Sequence, residues 1–304
     1  MPDASRSPPD VSLVLETEND QKQRQIRLEH IVAAWRAQTE VGRILEWIVV
    51  SRRPIQPEEE RMLSGLPYRW LIAETGTYYG EKNAGLAATS GRFICLADSD
   101  DQPEPDWLAL ALPALESAPA DVAAVTGRTR YEPGPFSMEL TIAHFPFQAP
   151  ETEEVLTIGG GNAIYRGDVL RRFRFRGDHI RHGPDVELAC RMRDGGLRIL
   201  YDPVLTMTHN FTRDVRDLWG HVAMKGHAFA LYADFLGRPR RGALRDAVGR
   251  YRVLVARTFR LRRALAIPAW RLPISCAFFV FYVVAAAYGW REAQRGQPVP
   301  RYAF

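Results

Sequence analysis

Through the first two thirds of the chain, short unbroken apolar runs alternate with stretches of helical spacing. VSLVLE (11–16), ILEWIVVS (44–51), YRWLIAE (68–74) and RFICLAD (92–98) have the length and apolar content of buried strands. Between them, Ile26, Ile31, Ala34 and Trp35 recur at helical intervals within 22–39, and residues 81–90 read as a short helix ending at Gly91. After the polar, proline-containing QPEPD, WLALALPALESA reads as a helix and 122–133 as a strand running into a loop. Residues 134–157 have no clear period and are expected to form a flexible segment facing substrate. A helix over 185–194 and a strand over 197–209 follow. Strands alternating with helices predict an α/β fold with an open, mostly parallel sheet.

The pattern changes near Asp217. From there to about Leu265 it is helical, with Leu244, Ala247, Val248, Tyr251, Val255 and Phe259 on one face and arginines filling much of the rest. The 19 residues from Leu272 to Trp290 carry no charge. As a helix they would cover about 28 Å, close to the ~30 Å apolar thickness of a bilayer. This predicts a disordered lead-in over 1–10, an α/β domain over 11–235 and a membrane-associating segment over 236–304. A dimerising or packed pair of helices is the alternative for the last segment.

Charge sharpens this division. Residues 238–271 hold eleven arginines and one acid, Asp246, a balance of +10 within a chain whose formal charge is +4. The other 270 residues therefore carry −6. A mildly acidic body with a basic attachment excludes a uniformly basic nucleic-acid binder, and it suits a surface of anionic lipid. The three cysteines are too few and too scattered for a disulfide framework, so a reducing compartment is expected.

The main candidate for chemistry is Asp98-Ser99-Asp100-Asp101, directly after the apolar run FICLA. Ligands of open α/β sheets bind at the carboxyl ends of strands. Carboxylates crowded there repel one another unless a cation neutralises them, and hard oxygen ligands suit Mg²⁺ or Mn²⁺. A solvated acidic turn capping the next helix is the competing explanation.

VSLVLETEN, YYGEKNAGLAATSGRFICLADSDDQPEPDWL, IGGGNAIYR and HGPDVELACRMRDGG resemble, in order and spacing, the family 2 glycosyltransferases of the GT-A fold, over about residues 10–235. The resemblance implies that Asp98 and Asp100 hold a divalent ion against a nucleotide-sugar diphosphate, with Asp98 also near the ribose. It places Thr17, Glu18 and Asn19 in the nucleotide-facing loop, Lys82 and Asn83 at the helix start beside the nucleotide, and Gly159, Gly160, Gly161 and Asn162 in the family's glycine–asparagine element. It makes Asp185 the general base, with Glu187 as fallback, and adds His209 to the metal site. His221, Lys225 and His227 fall near where such enzymes close over the donor phosphates, without individual roles.

Each assignment has a plainer counterpart: an exposed helix lysine for Lys82, a tight turn for the glycines, a strand cap for His209, and a helix opening for Pro184-Asp185. Three positions depart from the family pattern: Glu16 replaces a proline, Ser51 an aspartate, and Pro184 a glutamate. The resemblance thus implies a metal-dependent, inverting sugar transferase, and the arginine-rich flank 238–271 beside the apolar 272–290 adds the expectation that it works on the cytoplasmic face of a membrane, on a glycan or lipid-linked acceptor. The three departures keep a second reading open, a degenerate, membrane-bound sugar-binding scaffold. A nucleotidyltransferase would want a glycine- and lysine-rich loop where ETENDQKQR stands.

Overall fold

The structure, a computed structural model, describes residues 8–17, 24–74, 77–134, 136–144, 149–176, 183–209, 215–235, 242–263 and 265–296. Most of the expected lead-in, together with Glu18 and Asn19, lies outside the described residues. In chain order the elements are β1 (Val11–Glu16), α1 (Arg24–Arg36), β2 (Ile44–Ser51), α2 (Pro57–Leu63), β3 (Tyr68–Ile72), α3 (Tyr78–Ala87), β4 (Phe93–Ala97), β5 (Asp101–Pro103) and α4 (Trp107–Glu116). Then come β6 (Val122–Tyr131), α5 (Ser137–His144), β7 (Glu153–Glu154), β8 (Ala163–Arg166), α6 (Gly167–Phe173), α7 (Pro184–Asp194), β9 (Arg198–His209), α8 (Val215–Phe235), α9 (Ala243–Leu261) and α10 (Leu272–Gln294).

Among the described residues, nine strands form one sheet in the order β3-β2-β1-β4-β8-β6-β9-β5, with β7 beside β9. The parallel arrangement expected from sequence holds for β3, β2, β1 and β4. Beyond β4 the sheet is mixed: β8 pairs antiparallel with both β4 and β6, and β9 antiparallel with β5 and β7. The cause is topological. β6, which follows α4, runs in the same sense as β4 but one strand further out, and β8 fills the gap in the opposite sense. Residues 134–157, expected to lack structure, instead contain α5 and β7.

The chain divides into two compact units. The first contains the sheet and its flanking helices. Its core lies between the strands and one face each of α1 and α4, where Leu28, Ile31 and Trp35 meet Trp107, Leu108 and Leu112. Trp35 and Trp107 pack edge to face, ring centroids 5.6 Å apart, a geometry that aromatic pairs favour.

The second unit takes 130–151, 180–184 and 210–304, so α8 belongs with α5, α9 and α10. Its core is built from Leu140 and Ile142 of α5, Leu218 and Val222 of α8, Leu254 of α9, and Phe278, Phe279 and Tyr282 of α10. α8 and α10 cross at glycines. A Cβ at Gly226 would lie 2.0 Å from the Ala286 carbonyl oxygen, and one at Gly289 would lie 1.8 Å from that of Ala223. Only residues without a side chain allow the two backbones this close.

Candidate active site

β1 and β4 are hydrogen-bonded neighbours that run in the same direction, with Leu15 opposite Ala97. Their carboxyl ends therefore open side by side, one leading to Glu16 and Thr17 and the other to Asp98. The chain turns at once after β4, since the Asp101 amide donates to the Asp98 carbonyl at 3.1 Å. Asp101 then begins β5, directly opposite His209 at the end of β9. Residues far apart in sequence are thus gathered by a tight turn and an antiparallel register.

The four residues of the acidic turn are all buried, so a solvated helix cap does not describe them. Asp100, Asp101 and His209 each offer a ligand atom within 4.8 Å of the others. The His209 Nε2 lies 3.8 Å from Asp100 Oδ2. Asp98 is engaged on the other side: its Oδ2 accepts from the Tyr78 hydroxyl at 2.6 Å, and its Oδ1 pairs with the Lys82 ammonium. Beneath the turn, Glu16 accepts hydrogen bonds from the Ser99 amide and hydroxyl, at 3.2 and 3.3 Å. The glutamate that replaces the family's proline therefore braces the residue between the two aspartates.

Lys82 is only 1% exposed and sits 4.7 Å from the Tyr78 ring centroid. Burial alone would pull its pKa down, but Asp98, Glu16 and Asp101 reverse this and hold it above the usual lysine value. An exposed helix lysine is therefore not the explanation for this residue. For Asp101, burial first, then Asp98 and Asp100, push the carboxyl well above the ordinary carboxylate range, against the pull of Lys82. Its Oδ1 is buried and makes no hydrogen bond. Four acids, Glu16, Asp98, Asp100 and Asp101, are thus buried close to the single ammonium of Lys82. A buried oxygen without a partner, beside a carboxylate and an imidazole, is a donor set that fits a hard divalent cation.

The glycine element lies against this cluster. A Cβ at Gly161 would fall 2.1 Å from Asp101 Oδ2 and 2.8 Å from Asp98 Oδ2, while one at Gly160 would come no nearer than 3.9 Å to the Tyr78 hydroxyl oxygen. The bare backbone at 161 is what admits the carboxylates. Asn162 is committed elsewhere: its Oδ1 accepts from Trp107 Nε1 at 2.9 Å and its Nδ2 donates to Thr129 Oγ1 at 3.0 Å. Asn83 is likewise committed, donating to the Phe175 carbonyl and accepting from the Phe175 amide at 2.9 and 3.0 Å. Both amides hold this part of the chain in shape. Thr17 is buried, with its amide bonded to the Val50 carbonyl.

Asp185 stands in the first turn of α7, and its carboxylate accepts a hydrogen bond from the Tyr79 hydroxyl. Burial, with the charge of Asp185 next, raises the Tyr79 pKa well above the usual phenol value, so this hydroxyl stays a donor. Adjacent tyrosines in the first turn of α3 therefore hold two acids, Tyr78 gripping Asp98 and Tyr79 gripping Asp185. Glu187 is instead clamped by Arg191 at 2.5 and 2.7 Å, and the same guanidinium also reaches the Phe173 and Arg174 carbonyls. The two acids in the first turn of this helix therefore have different partners, the Tyr79 hydroxyl for Asp185 and the Arg191 guanidinium for Glu187.

Ser51 is fully buried at the end of β2. The arginines after it meet acids, Arg52 pairing with the buried Glu81 and Arg53 holding both oxygens of the buried Glu59. His221, Lys225 and His227 lie on α8, in the second unit. Tyr78 and Tyr79 escaped the sequence reading as site residues, and Asp101 was read as part of the acidic run without a role of its own. The visible signals were the pair of tyrosines just before Lys82 and the third acid of the DSDD run.

Comparison with known proteins agrees with this geometry. Residues 72–174 match the family described as glycosyl transferase family 2. Pre-mycofactocin glycosyltransferases of Mycobacterium tuberculosis are 28% identical to the chain over 158 residues, which is 49% of this chain and 33% of theirs. The chain thus spans about a third of the length of these curated relatives. A mycobacterial protein of known structure aligns with 77% of each chain at 18% identity and a TM-score of 0.52. The structure of GalNAc-T7 with UDP, GalNAc and Mn²⁺ aligns with 77% of this chain and 52% of its own at 12% identity and a TM-score of 0.55. Residues 72–174 are thus similar to family 2 glycosyltransferases, and the structural neighbours share the α/β fold.

Proposed function

We propose, on the premise that residues 72–174 are a family 2 glycosyltransferase segment, that this chain transfers a sugar from a nucleotide-sugar donor to a hydroxyl of a glycan or lipid-linked acceptor, with inversion. The observation that carries the reading is the cluster of buried Asp98, Asp100 and Asp101 with the partly buried His209, in the same unit as Asp185. A structural neighbour solved with UDP, GalNAc and Mn²⁺ supports the donor class and the kind of ion.

Asp100, Asp101 and His209, with Asp98 beside them, would hold Mg²⁺ or Mn²⁺, which offsets the charge that gathers on the leaving nucleoside diphosphate. Gly161 leaves the backbone open beside the carboxylates, and Lys82 supplies fixed positive charge behind Asp98. Asp185 takes the proton from the acceptor hydroxyl as its oxygen attacks the anomeric carbon. The bond from that carbon to the diphosphate oxygen breaks in the same displacement. One base and no protein nucleophile are needed, which is why the configuration inverts. Tyr79 orients the Asp185 carboxylate by donating its hydroxyl to it.

Nucleotide and sugar are identified first by thermal shift with UDP-, GDP- and dTDP-sugars, with and without Mn²⁺, because a binder stabilises the fold by mass action. With the selected donor, Asp185→Asn is expected to lower release of nucleoside diphosphate about 10²–10⁴-fold while keeping the donor-induced shift. Tyr79→Phe keeps the ring and is expected to lower turnover about tenfold with little change in donor KM. Equal slow hydrolysis by wild type and Asp100→Ala would replace catalysis with the sugar-binding scaffold that the departures at Glu16, Ser51 and Pro184 suggest. The site of action is proposed to be the cytoplasmic face of a membrane, where nucleotide sugars meet lipid-linked acceptors and where the arginine-rich flank 238–271 can face anionic headgroups.

A further inference from the structure

α10 belongs to an apolar helical stretch, Ala269–Gln294, long enough to cross a bilayer. Its packing argues against crossing. One face is covered by the second unit: Phe279 and Ala285 are fully buried, and Gly289 touches the backbone of α8. The helix it touches carries Arg216, His221, Lys225 and His227, which do not enter hydrocarbon cheaply. At the start of α10, Arg271 and Ser275 bind the fully buried carboxylate of Glu139 at 2.8–3.0 Å. Inserting α10 across a membrane would strip these contacts or drag charged partners with it.

The uncovered surfaces have a different character. On α9, Leu244 is 79% exposed, Phe259 56% and Val248 43%. At 3.6 residues per turn these three fall within about 60° of arc. Beside them stand the exposed Arg245, Arg252 and Arg263. Trp270, 67% exposed, follows just before α10, whose outer face shows Ile274, Val280, Val284 and Tyr288. An apolar rim bordered by arginines, with an exposed tryptophan at its end, matches the layered chemistry of a bilayer surface. Acyl chains take the aliphatic and aromatic groups, and headgroup phosphates take the guanidinium groups.

We propose that α9 and the outer face of α10 seat this chain flat on one leaflet of a membrane containing anionic phospholipid, with no segment of α10 crossing it. This deepens the reading of a membrane-borne acceptor and rests on it for its biological purpose, though not for its physics. The charge balance of 238–271, eleven arginines against one acid, selects anionic lipid over a second copy of the chain, whose own arginines would repel it.

The test uses the full chain and extruded vesicles of phosphatidylcholine alone or mixed with phosphatidylglycerol. Flotation with the mixed vesicles, little with phosphatidylcholine alone, and release by alkaline carbonate are expected. Arg245→Ser with Arg252→Ser is expected to weaken binding about tenfold or more, and Val248→Glu with Phe259→Glu to abolish it. These positions are on the surface, so the variants should keep the wild-type circular dichroism spectrum and the donor-induced thermal shift. Retention after carbonate would overturn the proposal in favour of a spanning helix. Absence of flotation, equal binding to both vesicles, or indifference to the four substitutions would also overturn it, as would a dimer dissociated by Phe259→Glu. Failure of the transferase reading appears separately, as loss of any nucleotide-sugar shift in protein that still floats.

Discussion

Lys82→Met is expected to destabilise the protein by about 3–5 kcal/mol, measured by urea unfolding without divalent ions. Removing one partner from a buried ion pair strands the other charge, and that loss typically exceeds what the pair itself contributed. Here the stranded charges include Asp98, which Lys82 contacts, and Glu16, whose field also holds Lys82 charged. Methionine preserves most of the volume, so a packing defect would contribute less than the electrostatic loss. The response to added cation separates the causes: Mn²⁺ should recover more stability in Lys82→Met than in wild type, because the ion takes over part of the lysine's work. A loss under about 1 kcal/mol, with equal response to Mn²⁺, would mean that the aspartates are neutralised in some other way.

Gly161→Ala is expected to lower kcat/KM about 100-fold. The added carbon would overlap Asp101 Oδ2 and crowd Asp98 Oδ2, forcing the carboxylates or the backbone to shift by a sizeable fraction of an ångström. Displacements near 1 Å at a reacting centre can cost this much. Mn²⁺ affinity, read by electron paramagnetic resonance, should fall with activity because the same oxygens are displaced. Gly159→Ala gives the internal comparison. Its Cβ would meet nothing within 4 Å, so its effect should be far milder. Similar losses in both variants would point to chain flexibility in this turn as the cause.

The sheet was legible because its inner strands are continuous apolar runs, and the acidic turn was legible because it follows one of them directly. α5 was not. Eight residues display barely two helical turns, too few to establish a period, and its fully buried face includes Glu139, which counts as polar in any hydrophobic pattern. The partners of Asn83 and Asn162 were hidden for another reason. Phe175 lies 92 residues from Asn83, and Trp107 lies 55 from Asn162, so only the folded chain reveals that these amides are engaged. Glu16 looked like a defect in a family pattern. In place, it carries the hydrogen bonds that hold Ser99. The mixed half of the sheet was equally hidden, since apolar runs carry no sign of strand direction.

The reciprocal glycines where α8 and α10 cross act as a vernier. Because each helix presents its bare backbone to a carbonyl of the other, a slide of one residue in either direction would drive a side chain into an oxygen atom. The two helices therefore have one permitted longitudinal setting. The outward positions of α10 can vary in size without disturbing it, whereas Gly226 and Gly289 cannot grow without moving the whole pair.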